Sequence, residues 1–208
     1  ALWFLLPGCA VVILMGVTNS LTVDTASVPF LWMLPLGVYL ATFVLCFGSE
    51  RSYRRTPYLL VVGLLFLAQW LLRAYGSVAG PATVAITSSI QFQIFVHVLL
   101  LFGACMVLHG ELYRLRPPAS SLTAFYLCIS AGGALGGIFV GALAPRLFDD
   151  YREFELGFTL AWLLLLAVCW QDSRGWLSRT APRRRWALAL ALLAIPLPWA
   201  ASAPLRRP

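Results

Sequence analysis

The chain has 208 residues, 61% of them hydrophobic and 11% charged, and a mean hydropathy of +0.84. A soluble domain carries about 25% charged residues, and so small a chain has too much surface to hide this much apolar side chain from water. The composition excludes a complete soluble catalytic domain and predicts an all-α, polytopic transmembrane bundle of about seven helices in one domain spanning 1–208. The formal charge of +7 comes with 15 basic residues, all arginine, in short clusters between apolar runs. That placement points to topology control and to attraction for anionic lipid headgroups, not to nucleic acid.

A bilayer core of about 30 Å is crossed by about 20 apolar helical residues, and the charge-free intervals repeatedly have that length. The expected first helix is 2–17, and Thr18–Thr25 reads as a polar turn containing Asp24. A second helix, 28–47, follows, with Ser27 as its N-cap and Pro29 in its first turn, where the missing N–H costs little. The third, 57–72, ends at Arg73, before the turn signals Gly76, Gly80 and Pro81. The fourth, 84–108, opens on Thr87-Ser88-Ser89 and Gln91. The fifth, 122–143, is preceded by the helix-stopping Pro117-Pro118, and the sixth is 156–170. A seventh, 186–203, contains Pro196 and Pro198, so it is kinked, frayed or not fully spanning.

Orientation follows from the arginines. With the amino terminus inside, the inner loops hold Arg51, Arg54, Arg55, Arg114, Arg116, Arg174, Arg179, Arg183, Arg184 and Arg185. The outer side holds Arg73, Arg146, Arg152, Arg206 and Arg207. This bias predicts a cytoplasmic amino terminus. The chain starts at Ala1, as expected of a processed chain or of part of something longer, and its apolar start lacks the basic n-region of a signal peptide.

Several residues could carry chemistry. Asp24 either caps or shapes its turn or contacts an ion or substrate. His97, midway along the fourth helix and one turn from Gln93, serves either interhelical hydrogen bonding or a proton relay or cofactor ligand. His109-Gly110-Glu111-Leu112-Tyr113-Arg114 closes that helix. Its histidine, Glu111 and arginine form a small site, or else pair with one another and with headgroups. Gly133, Gly137 and Gly141 recur every fourth residue and give the fifth helix a face without side chains, suited to close helix packing or to a hinge in a moving transporter helix. A phosphate-cradling glycine loop would need partner residues that the sequence does not contain.

The five cysteines, Cys9, Cys46, Cys105, Cys128 and Cys169, stand singly in apolar runs and read as small buried hydrophobes. No zinc spacing, catalytic triad, carboxylate cluster or nucleotide fingerprint is visible, so no metal, cofactor or catalytic residue is expected.

Leu21-Thr22-Val23-Asp24-Thr25-Ala26-Ser27-Val28-Pro29-Phe30-Leu31-Trp32-Met33-Leu34-Pro35-Leu36 resembles a signature of bacterial membrane proteins that fuse a major-facilitator-like region to a spermidine-synthase-like domain. His109-Gly110-Glu111-Leu112, Arg116-Pro117, Leu122–Leu127, Gly132–Gly137, Ala144-Pro145 and Leu147-Phe148 are similar to a second. The resemblance covers about Leu5 to Leu166 and implies a bacterial inner-membrane location. Family members also carry further membrane helices and a soluble aminopropyltransferase-like domain. Nothing in this chain matches that enzyme's nucleotide-binding glycines or catalytic aspartate. Two functions are therefore expected. One is a non-catalytic membrane domain or subunit that anchors or assembles a larger complex in the lipid bilayer, with other membrane subunits or with itself. The alternative is a transporter of a small cationic substrate such as a polyamine, contacted by Asp24, His97 and Glu111.

Overall fold

In an apolar solvent every backbone N–H and C=O must be satisfied inside the chain, and an unbroken helix does this locally. The structure, a computed structural model, describes residues 1–23, 31–49, 52–75, 80, 85, 89–147 and 153–171. Among these, regular structure is helical and no strand occurs. The helices are α1 (Leu2–Val23), α2 (Met33–Gly48), α3 (Arg55–Tyr75), α4 (Ile90–Arg114), α5 (Leu122–Ile138) and α6 (Glu153–Gln171). After α5 the chain runs through a π-helical turn, Phe139–Leu143, into a last helical turn, Ala144–Leu147. Among the described residues, three stretches are long and apolar enough to cross a membrane: Leu2–Thr22, Ile90–Arg114 and Ala119–Arg146.

The helix limits differ from the expected ones for identifiable reasons. The hydroxyl-rich end of α1 is helix, not turn. Thr18 donates to the Leu14 carbonyl at 2.7 Å, Ser20 to Gly16 at 2.9 Å and Thr22 to Thr18 at 2.9 Å, so these side chains bond back within the helix rather than break it. Helix α4 begins and ends six residues later than expected. Ser89, with extended backbone, precedes it, and its last turns keep His109, Gly110 and Glu111 because all three are buried against neighbours. Helix α2 starts at Met33 with Pro35 in its first turn, where a proline is tolerated. Ser27, Pro29 and the seventh segment lie outside the described residues.

The π turn has a local cause. In an uninterrupted α-helix Pro145 could not donate to the Gly141 carbonyl, and its ring would press on that carbonyl. Widening the turn removes the clash, and Arg146 donates to the Ala142 carbonyl at 3.2 Å.

Two helices occupy the middle. Helix α1 packs against α4, α5 and α6, while α4 packs against α1, α2 and α3. From Gly103 to Leu112 every residue of α4 is buried. The shared core runs along α1 through Leu6, Cys9, Ala10, Ile13, Val17 and Leu21, at helical three- and four-residue spacings. The closest approach is between α1 and α5. A Cβ added to Gly132 would stand 2.2 Å from the Phe4 carbonyl oxygen, and one on Gly136 2.4 Å from that of Gly8. Backbone meets backbone there, which only glycine permits.

The close approach to α1 thus falls one residue away from the row Gly133, Gly137 and Gly141. The corresponding distance is 3.5 Å from Gly133 to a Val11 methyl and 4.0 Å from Gly137 to the Met15 sulfur, both ordinary contact, and Gly141 faces open space. Gly132 and Gly136 are buried, and the expected row runs along the edge of the contact and outward. Outward faces elsewhere are also apolar, as with Leu40 and Val44 on α2, Leu60 and Leu64 on α3, and Leu127 and Ile138 on α5. Such an exterior suits acyl chains rather than water.

Candidate functional site

One end of the bundle holds the buried Glu111 and His109 of α4. The start of α1, the end of α2, the start of α3, the end of α4 and the start of α5 meet there. Trp3 ties the first to the α4–α5 connection, its indole N–H donating to the Leu115 carbonyl at 2.9 Å while its ring meets Phe125 edge-on at 5.5 Å.

Glu111 is the centre of this end. Its side chain is 2% exposed, so its charge must be matched within the protein. Arg55, from the first turn of α3, supplies a two-point clamp, with Nε donating to Oε1 at 2.6 Å and Nη2 to Oε2. The Tyr53 hydroxyl donates to Oε1 at 2.8 Å, and Arg114 lies 3.8 Å away, one turn along α4. A forked guanidinium on a carboxylate fixes both position and angle. The clamp therefore locks the segment entering α3 onto the last turns of α4. Gly110 makes this possible, since a Cβ there would stand 2.3 Å from Cγ of Tyr53. The tyrosine ring occupies the space that any other residue at position 110 would fill.

His109, on another face of α4, is fully buried. Thr42 of α2 donates its single hydroxyl proton to the Tyr39 carbonyl at 2.7 Å, so its oxygen is left to accept from Nδ1–H of His109, 3.1 Å away. Tyr39 and Phe43 meet the imidazole edge-on, with centroids 4.9 and 5.2 Å distant. Nε2 has no hydrogen-bond partner among the described residues.

His97 lies a dozen residues earlier on α4. Its Nδ1 is 2.7 Å from the Gln93 backbone carbonyl, so the relation to Gln93 runs through the main chain. Twelve helical residues separate His97 and His109 by about 18 Å along the axis, and the two belong to different environments. Asp24 lies outside the described residues. Of the three suspected contact residues, then, Glu111 and His97 sit on one helix in unrelated settings.

Beside the clamp, a pocket of about 390 Å³ opens at the bundle end, lined by Cys46, Ser49, Tyr53, Gly110, Tyr113, Arg114 and Arg116. Arg116 lies over the Tyr113 ring, 4.3 Å from its centroid, and its Nη1 donates to the Tyr113 hydroxyl. Cys46 is buried against α4, with its sulfur 3.6 Å from the Met106 carbonyl. Cys9 and Cys105 are also buried, and Cys9 lies 3.4 Å from the Gly157 carbonyl of α6. Of the partners, Tyr53 and Thr42 carry no sequence signal of their own, and Arg55 stands out only as one of the inner-loop arginines. The only hint was three ionisable types crowded at the end of an apolar run.

No protein-family model, curated protein or solved structure matches the chain.

Proposed function

We propose that this chain is a non-catalytic integral membrane domain that assembles with another membrane component, in the manner expected of the membrane part of spermidine-synthase-like fusion proteins. The observation that carries this reading is the pair of neighbouring glycine rows on α5 and the π-helical turn that follows it. Gly132 and Gly136 are filled by α1, while Gly133, Gly137 and Gly141 run outward, and Gly141 meets nothing within 4 Å among the described residues. In lipid, where apolar burial does not drive helices together, a groove without side chains is a place where a second helix gains close packing. The π turn beside it widens the same stretch.

The Glu111 clamp supports the reading from the other direction. Its carboxylate is engaged by Arg55 and Tyr53, as befits a structural lock, and a cationic substrate would have to displace a guanidinium to reach it. Orientation belongs to the same proposal. Arg54, Arg55, Arg114 and Arg116 lie at the end where α1 begins, favouring a cytoplasmic amino terminus in a bacterial inner membrane.

The test is association in mild detergent. The full chain should run larger than a monomer or carry a protein partner, and Gly137→Leu with Gly141→Leu should return it to a monomer without loss of helical circular dichroism. A wild-type chain that is monomeric and partner-free refutes assembly. Polyamine uptake by proteoliposomes that is lost in Glu111→Gln would favour the transporter instead.

A further inference from the structure

We infer that His109, Met106 and Cys46, where α4 and α2 face each other, form a binding site for a soft monovalent metal cation of the copper(I) class. The imidazole carries the first argument. A histidine that ligates a metal through one ring nitrogen almost always gives its other N–H to an oxygen that fixes its tautomer and its angle. His109 has that second contact in place. Its Nδ1–H donates to the Thr42 hydroxyl at 3.1 Å, and Thr42 is itself held by donating to the Tyr39 carbonyl at 2.7 Å. Nε2 is left with a lone pair and, in a fully buried side chain, has no hydrogen-bond partner among the described residues. A buried acceptor without a partner costs free energy, and an ion on that lone pair removes the cost.

The sulfurs carry the second. Sγ of Cys46 and Sδ of Met106 stand 3.8 Å apart across the two helices, and both residues are buried. Two sulfurs that share one ion through bonds of about 2.3 Å, at a tetrahedral angle, stand about 3.8 Å apart. Side chains three and four positions apart lie one above the other on a helix, so His109 is the neighbour of Met106 on α4, and its partner Thr42 is the neighbour of Cys46 on α2. The ligand set selects the ion. Thiolate and thioether favour copper(I) over harder cations. Among the described residues no three His, Cys, Asp or Glu side chains are grouped to hold a metal, as a zinc or carboxylate site requires. Glu111, just beyond His109 on α4, is held by Arg55 and Tyr53. Cys46 also lines the pocket of about 390 Å³ at the bundle end, which gives an ion a way in and the thiol proton a way out. Binding forms three bonds to the ion and releases that proton, with no change of oxidation state. The inference does not depend on assembly with a partner.

The full chain in mild detergent is to be titrated anaerobically with copper(I) against a chromophoric copper(I) chelator. Wild type should take one ion per chain and release one proton per ion. Thr42→Val keeps the branching of the side chain but removes the oxygen that orients the imidazole, and should weaken binding by about 10–100-fold. Cys46→Ser, Met106→Leu and His109→Gln should each weaken it at least as much, and Cys128→Ser, on α5, should leave it unchanged. Unchanged binding in any of the first four variants, an equal loss in Cys128→Ser, or displacement of copper(I) by equimolar zinc(II) overturns the site. If Cys46→Ser or His109→Gln loses its helical circular dichroism, Met106→Leu, which conserves apolar volume, decides the matter, and full affinity in that variant refutes the inference.

Discussion

Replacing Gly136 by alanine tests the central contact of the bundle. The new methyl carbon would lie 2.4 Å from the Gly8 carbonyl oxygen, about 1 Å closer than side-chain carbons normally come to carbonyl oxygen. The obstacle is backbone on a buried helix, so no side chain can swing aside, and α1 and α5 must separate locally by a similar distance. Overpacking of this kind costs about 1–3 kcal/mol, and with backbone as the obstacle the upper half of that range is expected. For a chain of this size each kcal/mol shifts the midpoint by about 2–4 °C, which gives a fall of about 5–10 °C. Thermal unfolding in detergent, followed by tryptophan fluorescence, measures it. Gly137→Ala is the internal control, since its methyl would stand 4.0 Å from the Met15 sulfur and should change the midpoint little. An unchanged midpoint in Gly136→Ala, or a larger fall in Gly137→Ala, would refute the assignment of the close contact to Gly132 and Gly136.

Further outcomes follow from the same geometry. Glu111→Gln removes the buried carboxylate that Arg55, 16% exposed, clamps and should destabilise by about 3 kcal/mol. Removing both charges as Glu111→Met with Arg55→Met should recover most of the loss in the same melting assay. Gly110→Ala drives a methyl into the Tyr53 ring and should cost about 1–3 kcal/mol. Added to Tyr53→Ala it should cost less than about 0.5 kcal/mol, because the obstacle is then gone, and a double-mutant cycle reads the difference. Cys9 and Cys105, fully enclosed in the core, should resist maleimide in mild detergent and react only after dodecyl sulfate unfolds the chain. Labelling at the native rate of an exposed thiol would show that the core around α1 and α4 is open.

Composition and the spacing of charges determined that the described chain is helical, roughly where its six helices lie, and that three of its stretches are long and apolar enough to cross a bilayer. Those properties depend on length and solvent alone: about 20 apolar residues without charge are a spanning helix in any tertiary setting. Helix ends were less legible. The hydroxyls of Thr18, Ser20 and Thr22 can break a helix or bond back into it, and His109-Gly110-Glu111 stays helical only because α2, α3 and Tyr53 cover it. Which faces turn inward was decided by the tertiary structure. In lipid the outward face is apolar too, so hydrophobicity does not distinguish core from surface, and two glycine rows one residue apart look equivalent until α1 fills one of them. The partner of Glu111 was hidden for a related reason. Arg55 belongs to a different helix, and only the packing of α3 on α4 brings guanidinium and carboxylate, 56 positions apart in sequence, within hydrogen-bonding distance.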